Sequence, residues 1–341
     1  MSLSSTLRIN MTGSSADPVE ESARYRAAIE MAVYAEENGF TTVSLEEHHC
    51  AENGWLSSPL TLAAMIIART RRIRVSVSAL LVTLYDPVRL AEDIAVLDLV
   101  SEGRFSFIAG IGYRPIEYHA TGKRWEDRGR LMDECIETLL NAWSGEPFEY
   151  RGEIIRVTPV PMSRPAPFFF LGGMSRVSAR RAARNGLPYF PAIDDPKLEA
   201  CYHEELARHG KTGFYMTPGR GNSMTVVDPD PESAWEELAP YFIRELSEYS
   251  SWRRPEVPRP GEAPANSVED LKDQQRFEIL TAEACRARVE SGELDSFAVH
   301  PLTGGTPVAR AWELLRNYTE GVHLPLADAS SEAVQGERIG S

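Results

Sequence analysis

The chain has 341 residues, a formal net charge of −14, 43% hydrophobic residues and 25% charged residues. This length and composition are ordinary for an α/β barrel folded as a single large domain. The acidic charge argues against nucleic acid as a partner, because a phosphate backbone is bound by a basic face. No apolar run approaches the roughly 20 residues that cross a bilayer, and the N-terminal sequence lacks the apolar stretch of a signal peptide. We therefore expect a cytoplasmic protein that does not associate with membranes.

Hydrophobic periodicity predicts strands that alternate with helices along the chain. The predicted strands cover residues 7–11, 41–45, 73–82, 104–109, 168–171, 188–192, 223–227 and 296–299. The predicted helices cover residues 20–38, 59–69, 87–99, 127–143, 175–184 and 306–318, with a small hairpin of 148–150 against 154–156. About eight strand–helix repeats favour a closed (β/α)8 TIM barrel over an open doubly wound sheet.

We predict that residues 1–325 form one barrel domain with insertion loops at its C-terminal face. Residues 253–264 are too rich in proline for regular structure, and a loop of this length is typical of a lid or of disorder. The polar residues 326–341 are expected to be a flexible tail.

The four cysteines are far apart and include no C-x-x-C pair: Cys50, Cys135, Cys201 and Cys285. Their spacing is not typical of a zinc site or of the disulfide framework of a small secreted domain. We predict four reduced thiols.

The second predicted strand runs into SLEEHHC, where Glu47, His48 and His49 are adjacent. Active sites of α/β barrels lie at the carboxyl ends of the strands, so these three residues are candidates for catalysis. Adjacent histidines on a strand point to opposite sides and do not readily chelate one ion, so we predict no metal site. We expect one imidazole to face the barrel mouth, with Glu47 orienting a ring and setting its tautomer. The alternative is that both histidines satisfy structural hydrogen bonds.

The fifth predicted strand ends in LGGMSR, a candidate phosphate site. Gly172 and Gly173 allow the backbone to approach a ligand, Ser175 can cap the following helix, and Arg176 adds positive charge. Free N–H groups at a helix N-terminus bind phosphate. The alternative is that the glycines only turn the chain and Ser175 only caps.

Gly110 and Gly112 follow the fourth predicted strand but do not form a dinucleotide fingerprint, because Pro115 stands where a third glycine is expected. We interpret this proline as evidence against a helix that starts on a pyrophosphate. A flat aromatic ligand packed against the two glycines is the better functional interpretation, and a plain strand-to-loop turn is the alternative.

Several motifs in this order resemble the bacterial luciferase-like flavin-dependent monooxygenase family, over roughly residues 5–325. They are EHH, the sequence DPVRLAEDIAVLDLVSEGRF at 86–105, GIGYRPIEY at 110–118, LGGMS at 171–175 and HPLTGG at 300–305. The resemblance implies a (β/α)8 barrel that holds reduced FMN, or F420 in one branch, at the strand ends. FMN members often receive FMNH2 from a separate NAD(P)H flavin reductase. Its reaction with O2 gives a C4a-peroxyflavin, which oxygenates a small organic substrate, as in alkanal monooxygenases.

The resemblance also implies roles for individual residues. His48 takes the place of the active-site histidine near the flavin ring. Ser78 and Ala79 stand where the family often has a non-proline cis peptide that supports the isoalloxazine. The flavin and its ribityl chain would be lined by Gly110, Gly112 and Tyr113, and the phosphate would be held by Met174, Ser175 and Arg176, with Ser178 as an extra donor. Luminescent members carry a reactive cysteine where this chain has Ala109 and Gly110, which argues against light emission.

Two other functions stay open. An F420-dependent oxidoreductase would transfer a hydride and would need a basic track for the acidic cofactor tail, for which Arg176, Arg180 and Arg181 are the candidates; these could equally be a solvated helix face. A barrel that binds flavin without turnover is the third hypothesis. The resemblance also implies a homodimer, with the apolar helices at 59–69 and 87–99 as candidates for its interface.

Overall fold

The computed structural model describes residues 3–217, 224–252, 265–274 and 277–328. The fold separates into two compact units, each built from segments that are distant in sequence. The first unit comprises Met1–Ser44, Ala51–Trp55 and Gly219–Ser341, and the second comprises Leu45–Cys50 and Leu56–Pro218. The predicted lid at 253–264 and most of the predicted tail, 329–341, lie outside the described residues.

Strands and helices alternate along the described chain. The strands are β1 (Ser4–Ile9), β2 (Thr42–Leu45), β3 (Arg74–Leu80), β4 (Phe105–Ala109), β5 (Phe148–Tyr150), β6 (Glu153–Ile155), β7 (Phe169–Gly172), β8 (Tyr189–Phe190), β9 (Met224–Val227), β10 (Phe277–Leu280) and β11 (Ser296–Val299). The helices are α1 (Pro18–Glu37), α2 (Pro59–Arg69), α3 (Pro87–Ser101), α4 (Pro115–Ala120), α5 (Arg128–Ser144), α6 (Arg176–Asn185), α7 (Pro196–Arg208), α8 (Pro231–Ser251), α9 (Val268–Asp273), α10 (Ala282–Glu290) and α11 (Val308–Tyr318).

Every predicted strand and helix is present, with ends within three residues of the prediction. The prediction missed β10 and the helices α4, α7, α8, α9 and α10. Three of these helices open on a proline, which is favourable at the first helical position because its missing N–H would have no partner there. Helix α10 buries little more than Cys285 and so shows no clear apolar period. Helix α8 does carry one, through Ala234, Leu238, Phe242 and Leu246, and contains Pro240 within it.

In the first unit, β1 lies between β11 and β2. Strands β1 and β11 are parallel, with Ser4 opposite Ser296, and β9 is parallel to β10. Helix α8 packs on β10, where the rings of Phe242 and Phe277 stack with centroids 4.2 Å apart. This contact packs α8, the longest helix of the unit, against the two-stranded sheet of β9 and β10.

In the second unit, β3, β4, β7 and β8 form a parallel series in that order. One face of these strands is covered by α5, where Trp143 packs edge-on against Phe169 and Phe169 stacks on Phe107 at 4.9 Å. The short strands β5 and β6 form the predicted antiparallel hairpin. Because the four central strands are parallel, their carboxyl ends lie along one edge of the sheet.

The parallel α/β architecture is therefore confirmed, whereas closure into an eight-stranded barrel remains a prediction. The four cysteines are free thiols as predicted, with Cys50 exposed and the others buried. None of the helices in the described ranges is long and apolar enough to cross a membrane.

Candidate functional site

Glu47 is the acceptor at the centre of a buried hydrogen-bond cluster in the second unit. Its carboxylate accepts from the backbone N–H of Leu81 at 2.5 Å, from the Tyr85 hydroxyl at 2.5 Å and from Nε2 of His49 at 2.9 Å. The hydrogen bond from His49 to this carboxylate raises the pKa of His49, and burial beside the same charge raises the pKa of Tyr85. Glu47 thus fixes the chain that follows β3.

The ring that Glu47 was expected to orient is that of His49, whose Nε2 lies on the Glu47 carboxylate. Residues i and i+2 of an extended chain share a side, so Glu47 and His49 project together while His48 projects the other way. Glu47 and His49 therefore both support the segment after β3.

His48 instead lies between Glu117 and Tyr113. Its Nδ1 is 3.0 Å from Glu117 Oε1, and its Nε2 is 3.0 Å from the Tyr113 hydroxyl. The two rings meet edge-on, with centroids 5.2 Å apart and an interplanar angle of 74°.

Glu117 is the main site residue that the sequence interpretation missed. It lies on α4, a helix that the sequence analysis did not predict, and is fully buried. Arg114 donates to Glu117 Oε1 at 3.3 Å and to the carbonyl oxygens of His49 and Cys50, so the buried carboxylate faces a buried guanidinium. The sequence did contain a signal for this helix. Arg114 and Glu117 are three residues apart, and Pro115 between them suits the first helical position.

The peptide bond between Ser78 and Ala79 is cis, as the family resemblance implied. It coincides with the register shift of β3 against β4 between Ser78 and Leu80. Gly110 packs against this bulge: its N–H donates to the Leu80 carbonyl oxygen at 2.8 Å, and a Cβ at Gly110 would lie 2.8 Å from the Ala79 methyl. The absence of a side chain at Gly110 is therefore required by packing within the chain.

Gly112 differs from Gly110 in that a Cβ there would make only ordinary van der Waals contacts. Its φ is +70°, and a Cβ added there would meet its nearest neighbour, a carbon of the Tyr118 ring, at 3.7 Å. The left-handed backbone accounts for glycine at this position.

Helix α6 begins with the predicted cap. The Ser175 hydroxyl accepts from the Ser178 N–H at 3.2 Å, and the Ser175 N–H donates to the Ser178 hydroxyl at 3.1 Å, which completes a capping box. The Ser178 hydroxyl also donates to the Ser175 carbonyl oxygen at 2.7 Å. Ser178 is therefore engaged within the helix start, contrary to its expected role as an extra phosphate donor.

The rest of the predicted phosphate site is accessible. Gly172, Gly173 and Met174 are partly exposed, Ser175 and Arg176 are exposed, and Gly173 has a φ of +130°. The first N–H groups of a helix have no intrahelical acceptor, so those of the α6 first turn can bind an anion.

The predicted basic track is incomplete, because Arg181 is buried in an ion pair. Its Nε donates to Asp133 Oδ1 at 2.6 Å, and Arg184 binds the same carboxylate. Partial burial acts to raise the pKa of Asp133, but these two guanidiniums hold it below its usual value. Arg176 and Arg180 are the exposed members of the predicted set.

The structure thus brings His48 together with Tyr113, and Glu47 and His49 together with the chain after Ala79. The candidate phosphate residues follow β7, whose residue Leu171 pairs with Ala109 of β4. Within the described ranges, no group of three or more histidine, cysteine, aspartate or glutamate residues could hold a metal ion.

Comparison with known proteins shows the family. The luciferase-like monooxygenase family matches residues 8–296. An alkanal monooxygenase beta chain from Vibrio harveyi is 27% identical over 193 residues, which are 53% of this chain and 59% of that protein. The chain therefore spans less than two thirds of that relative's length.

Two solved structures share the fold at low sequence identity. One is the oxygenating constituent of 3,6-diketocamphane monooxygenase from Pseudomonas putida in complex with FMN, with a TM-score of 0.68, 18% identity, and coverage of 95% of this chain and 98% of that one. The other is an F420-dependent secondary alcohol dehydrogenase, with a TM-score of 0.66, 17% identity, and coverage of 96% and 99%. Because the family match extends over most of the sequence, the chain belongs to the luciferase-like monooxygenase family.

Proposed function

We propose that this protein is a monooxygenase that uses reduced FMN and O2 to oxygenate a small organic compound, with straight-chain aldehydes as the first class to test. The observation that carries this proposal is the pairing of two features at the strand ends of the second unit. The buried network of Glu117, His48 and Tyr113 follows β2 and β4, and the open N-terminus of α6 follows β7. The proposal includes a (β/α)8 barrel over residues 1–325 and a separate reductase that supplies FMNH2.

The residues present fit FMN. The accessible first turn of α6, with Arg176 beside it, suits a phosphate dianion. Gly112 and Tyr113, both partly exposed, would line the flat ring. When bound, the reduced flavin supplies the two electrons that activate O2.

The protein's own residues have three tasks in this function. Met174, Ser175 and Arg176 hold the phosphate through N–H groups and charge. Burial of Glu117 and His48 excludes water from the polar network, which strengthens its electrostatic interactions. The same network holds a proton at His48 Nδ1, facing the Glu117 carboxylate.

An F420-dependent hydride transfer is the second candidate, because an F420 enzyme shares the fold. Its acidic tail would require positive charge beyond the phosphate site. The Asp133 ion pair removes Arg181 from that role and leaves Arg176 and Arg180 exposed. The balance of charge therefore favours FMN.

Anaerobic titration of the purified protein with reduced FMN and with reduced F420 tests the cofactor. We expect tight binding of reduced FMN, and an affinity about tenfold lower in Arg176→Glu, which corresponds to about 1.4 kcal/mol. Arg180→Glu is the matched control on the same helix and should bind reduced FMN as the wild type does.

Admission of air in the presence of an aldehyde should then place one atom of ¹⁸O2 in the product. Selective binding of F420, with a loss of affinity in both arginine variants, would contradict the monooxygenase and support hydride transfer.

We propose that the protein forms a homodimer through α2 and α3. These neighbouring helices carry large apolar side chains that the single chain leaves exposed, namely Met65, Val96, Leu99 and Val100. Exposed apolar side chains gathered on adjacent helices are typical of a protein interface.

A charge placed in this surface should break the dimer. Val100 is 60% exposed, and we expect Val100→Asp to shift the mass in analytical ultracentrifugation from dimer towards monomer. Val19, which is 77% exposed on α1, offers Val19→Asp as the matched control that leaves the mass unchanged. A wild-type protein that sediments as a monomer at micromolar concentration would contradict the proposal.

A further inference from the structure

The hydroxyl of Tyr189 contacts the loop that forms the candidate phosphate site. Tyr189 lies on β8, beside Leu171 of β7, and its side chain is fully buried. Its hydroxyl donates to the carbonyl oxygen of Gly173 at 2.7 Å and lies 3.0 Å from the Ser178 Oγ. One buried side chain therefore contacts both the loop after β7 and the first turn of α6.

This hydrogen bond fixes the direction of one peptide group. The bond between Gly173 and Met174 is trans, and in a trans peptide the carbonyl oxygen and the following N–H point in opposite directions. Because the Gly173 carbonyl oxygen points to Tyr189, the Met174 N–H points away from Tyr189. Among the described residues this N–H meets no acceptor, so it is available to a ligand.

Gly173 requires such a restraint because it has no side chain. Its φ is +130°, and a Cβ placed there would lie 2.7 Å from the Cβ and Oγ atoms of Ser178, so packing excludes any larger residue. Glycine is also the residue whose backbone rotates most freely. Without a partner, the peptide group after Gly173 is free to turn its carbonyl oxygen outwards, and the partial negative charge of that oxygen would repel an anion.

The surroundings of Tyr189 hold its hydroxyl in place. Its ring stacks on that of Tyr202, with centroids 5.7 Å apart and an interplanar angle of 28°, and packs against Tyr215 at 5.8 Å. Its backbone N–H donates to the Phe214 carbonyl oxygen at 3.0 Å. Burial raises the pKa of Tyr189 to about 12, so the hydroxyl keeps its proton and remains a donor at neutral pH.

We propose that Tyr189 is a positioning residue of the phosphate site, whose hydroxyl holds the Gly173 peptide group so that the Met174 N–H faces the anion. This inference rests on the proposed function, since the anion is the phosphate of FMN. Tyr189 is fully buried, so it acts on the ligand through the peptide group and not by contact. Removal of the hydroxyl should therefore weaken the binding of the phosphate and leave the binding of the flavin ring unchanged.

Anaerobic titration with reduced FMN and with reduced riboflavin separates these two parts of the affinity, because riboflavin lacks the phosphate. We expect the wild-type protein to bind reduced FMN more tightly than reduced riboflavin. In Tyr189→Phe this preference should fall about tenfold, through weaker binding of reduced FMN and unchanged binding of reduced riboflavin. Replacement of Tyr189 by 4-aminophenylalanine, whose N–H groups restore a donor, should recover the preference.

Tyr202→Phe is the matched control. Tyr202 is fully buried in the same stack of rings, and burial raises its pKa to about 12 as well. Its hydroxyl donates to the Leu187 carbonyl oxygen at 2.7 Å, which lies outside the loop after β7. Each variant loses one buried hydroxyl, so an equal fall of the preference in both would assign the effect to packing and overturn the role of Tyr189.

The second test follows the Met174 amide by NMR in flavin-free protein labelled with ¹⁵N-methionine. The signal that is lost in Met174→Leu assigns this amide. Addition of inorganic phosphate should move the amide proton signal downfield in the wild type and in Tyr202→Phe, because the N–H donates to the anion. The shift should be much smaller in Tyr189→Phe.

The outcomes separate a failure of the proposed function from a failure of this inference. A wild-type protein that binds reduced FMN and reduced riboflavin equally, with a Met174 signal that phosphate does not move, would reject the phosphate site on which both rest. A preference for reduced FMN that survives in Tyr189→Phe would overturn the role of Tyr189 alone. So would an equal loss of affinity for both flavins in Tyr189→Phe, or a 4-aminophenylalanine variant that behaves like Tyr189→Phe.

Discussion

Replacement of Glu47 by alanine is expected to lower the free energy of unfolding by about 3–5 kcal/mol. Three donors converge on this buried carboxylate: the Leu81 N–H, the Tyr85 hydroxyl and His49 Nε2. Removal of the acceptor leaves all three without their partner, and each buried donor left unsatisfied costs about 1–3 kcal/mol. The expected loss is below the simple sum because water can enter the space of the missing side chain.

Urea unfolding followed by circular dichroism measures this effect. Tyr85→Phe removes one of the three donors and should lower the free energy of unfolding by about 1 kcal/mol. This smaller loss is the reference against which the loss in Glu47→Ala is compared. Glu52→Ala, at an exposed carboxylate in the same region of sequence, should stay within about 0.5 kcal/mol of the wild type. A Glu47→Ala protein as stable as Glu52→Ala would show that the cluster does not hold the segment after β3.

Replacement of His48 by alanine is expected to slow the oxygenation of an aldehyde by about 10²–10⁴-fold. In the proposed site His48 is the acid–base residue, and its ring nitrogens lie 3.0 Å from the Tyr113 hydroxyl and 3.0 Å from Glu117 Oε1. Without the imidazole, the site loses this acid–base group and the Glu117 carboxylate loses its Nδ1 donor. Affinity for reduced FMN should change little, because the phosphate is bound at α6.

Product formation under ¹⁸O2, with binding of reduced FMN measured in parallel, tests this expectation. His119→Ala is the control, since His119 is an exposed histidine on α4, the helix that carries Glu117. A loss of activity that is equal in the two variants would assign the effect to α4 as a whole. A His48→Ala enzyme with wild-type turnover would exclude His48 from the reaction.

The sequence was sufficient to predict where the strands end, but not which side chains form hydrogen bonds with one another at those ends. Period-two and period-3.6 apolar patterns predicted β11 and α2 with their exact bounds, because burial on one face governs both. Helix α4 was missed because Pro115 was considered only as evidence against a helix that starts on a pyrophosphate, although proline is suited to the first helical position.

The partners of His48 and His49 show which side-chain contacts a local sequence pattern can predict and which it cannot. The alternation that excluded joint chelation by His48 and His49 also places Glu47 beside His49, so this pair was within reach of the sequence. Glu117, in contrast, lies 69 residues beyond His48, and only the fold brings the two together. A catalytic pair is not predicted when the second residue is distant in the chain and lies on a helix that was itself not predicted.

In the proposed function, the capping box of α6 has a consequence for how the flavin exchanges. Ser175 and Ser178 satisfy each other before any ligand arrives, so the cradle needs no ordering when a phosphate enters it. Such a preformed site favours both rapid binding and rapid release of the phosphate. It offers backbone amides and one exposed arginine, and not several buried ion pairs. That is the kinetic behaviour required when the flavin is a shuttle that leaves after each turnover and returns reduced.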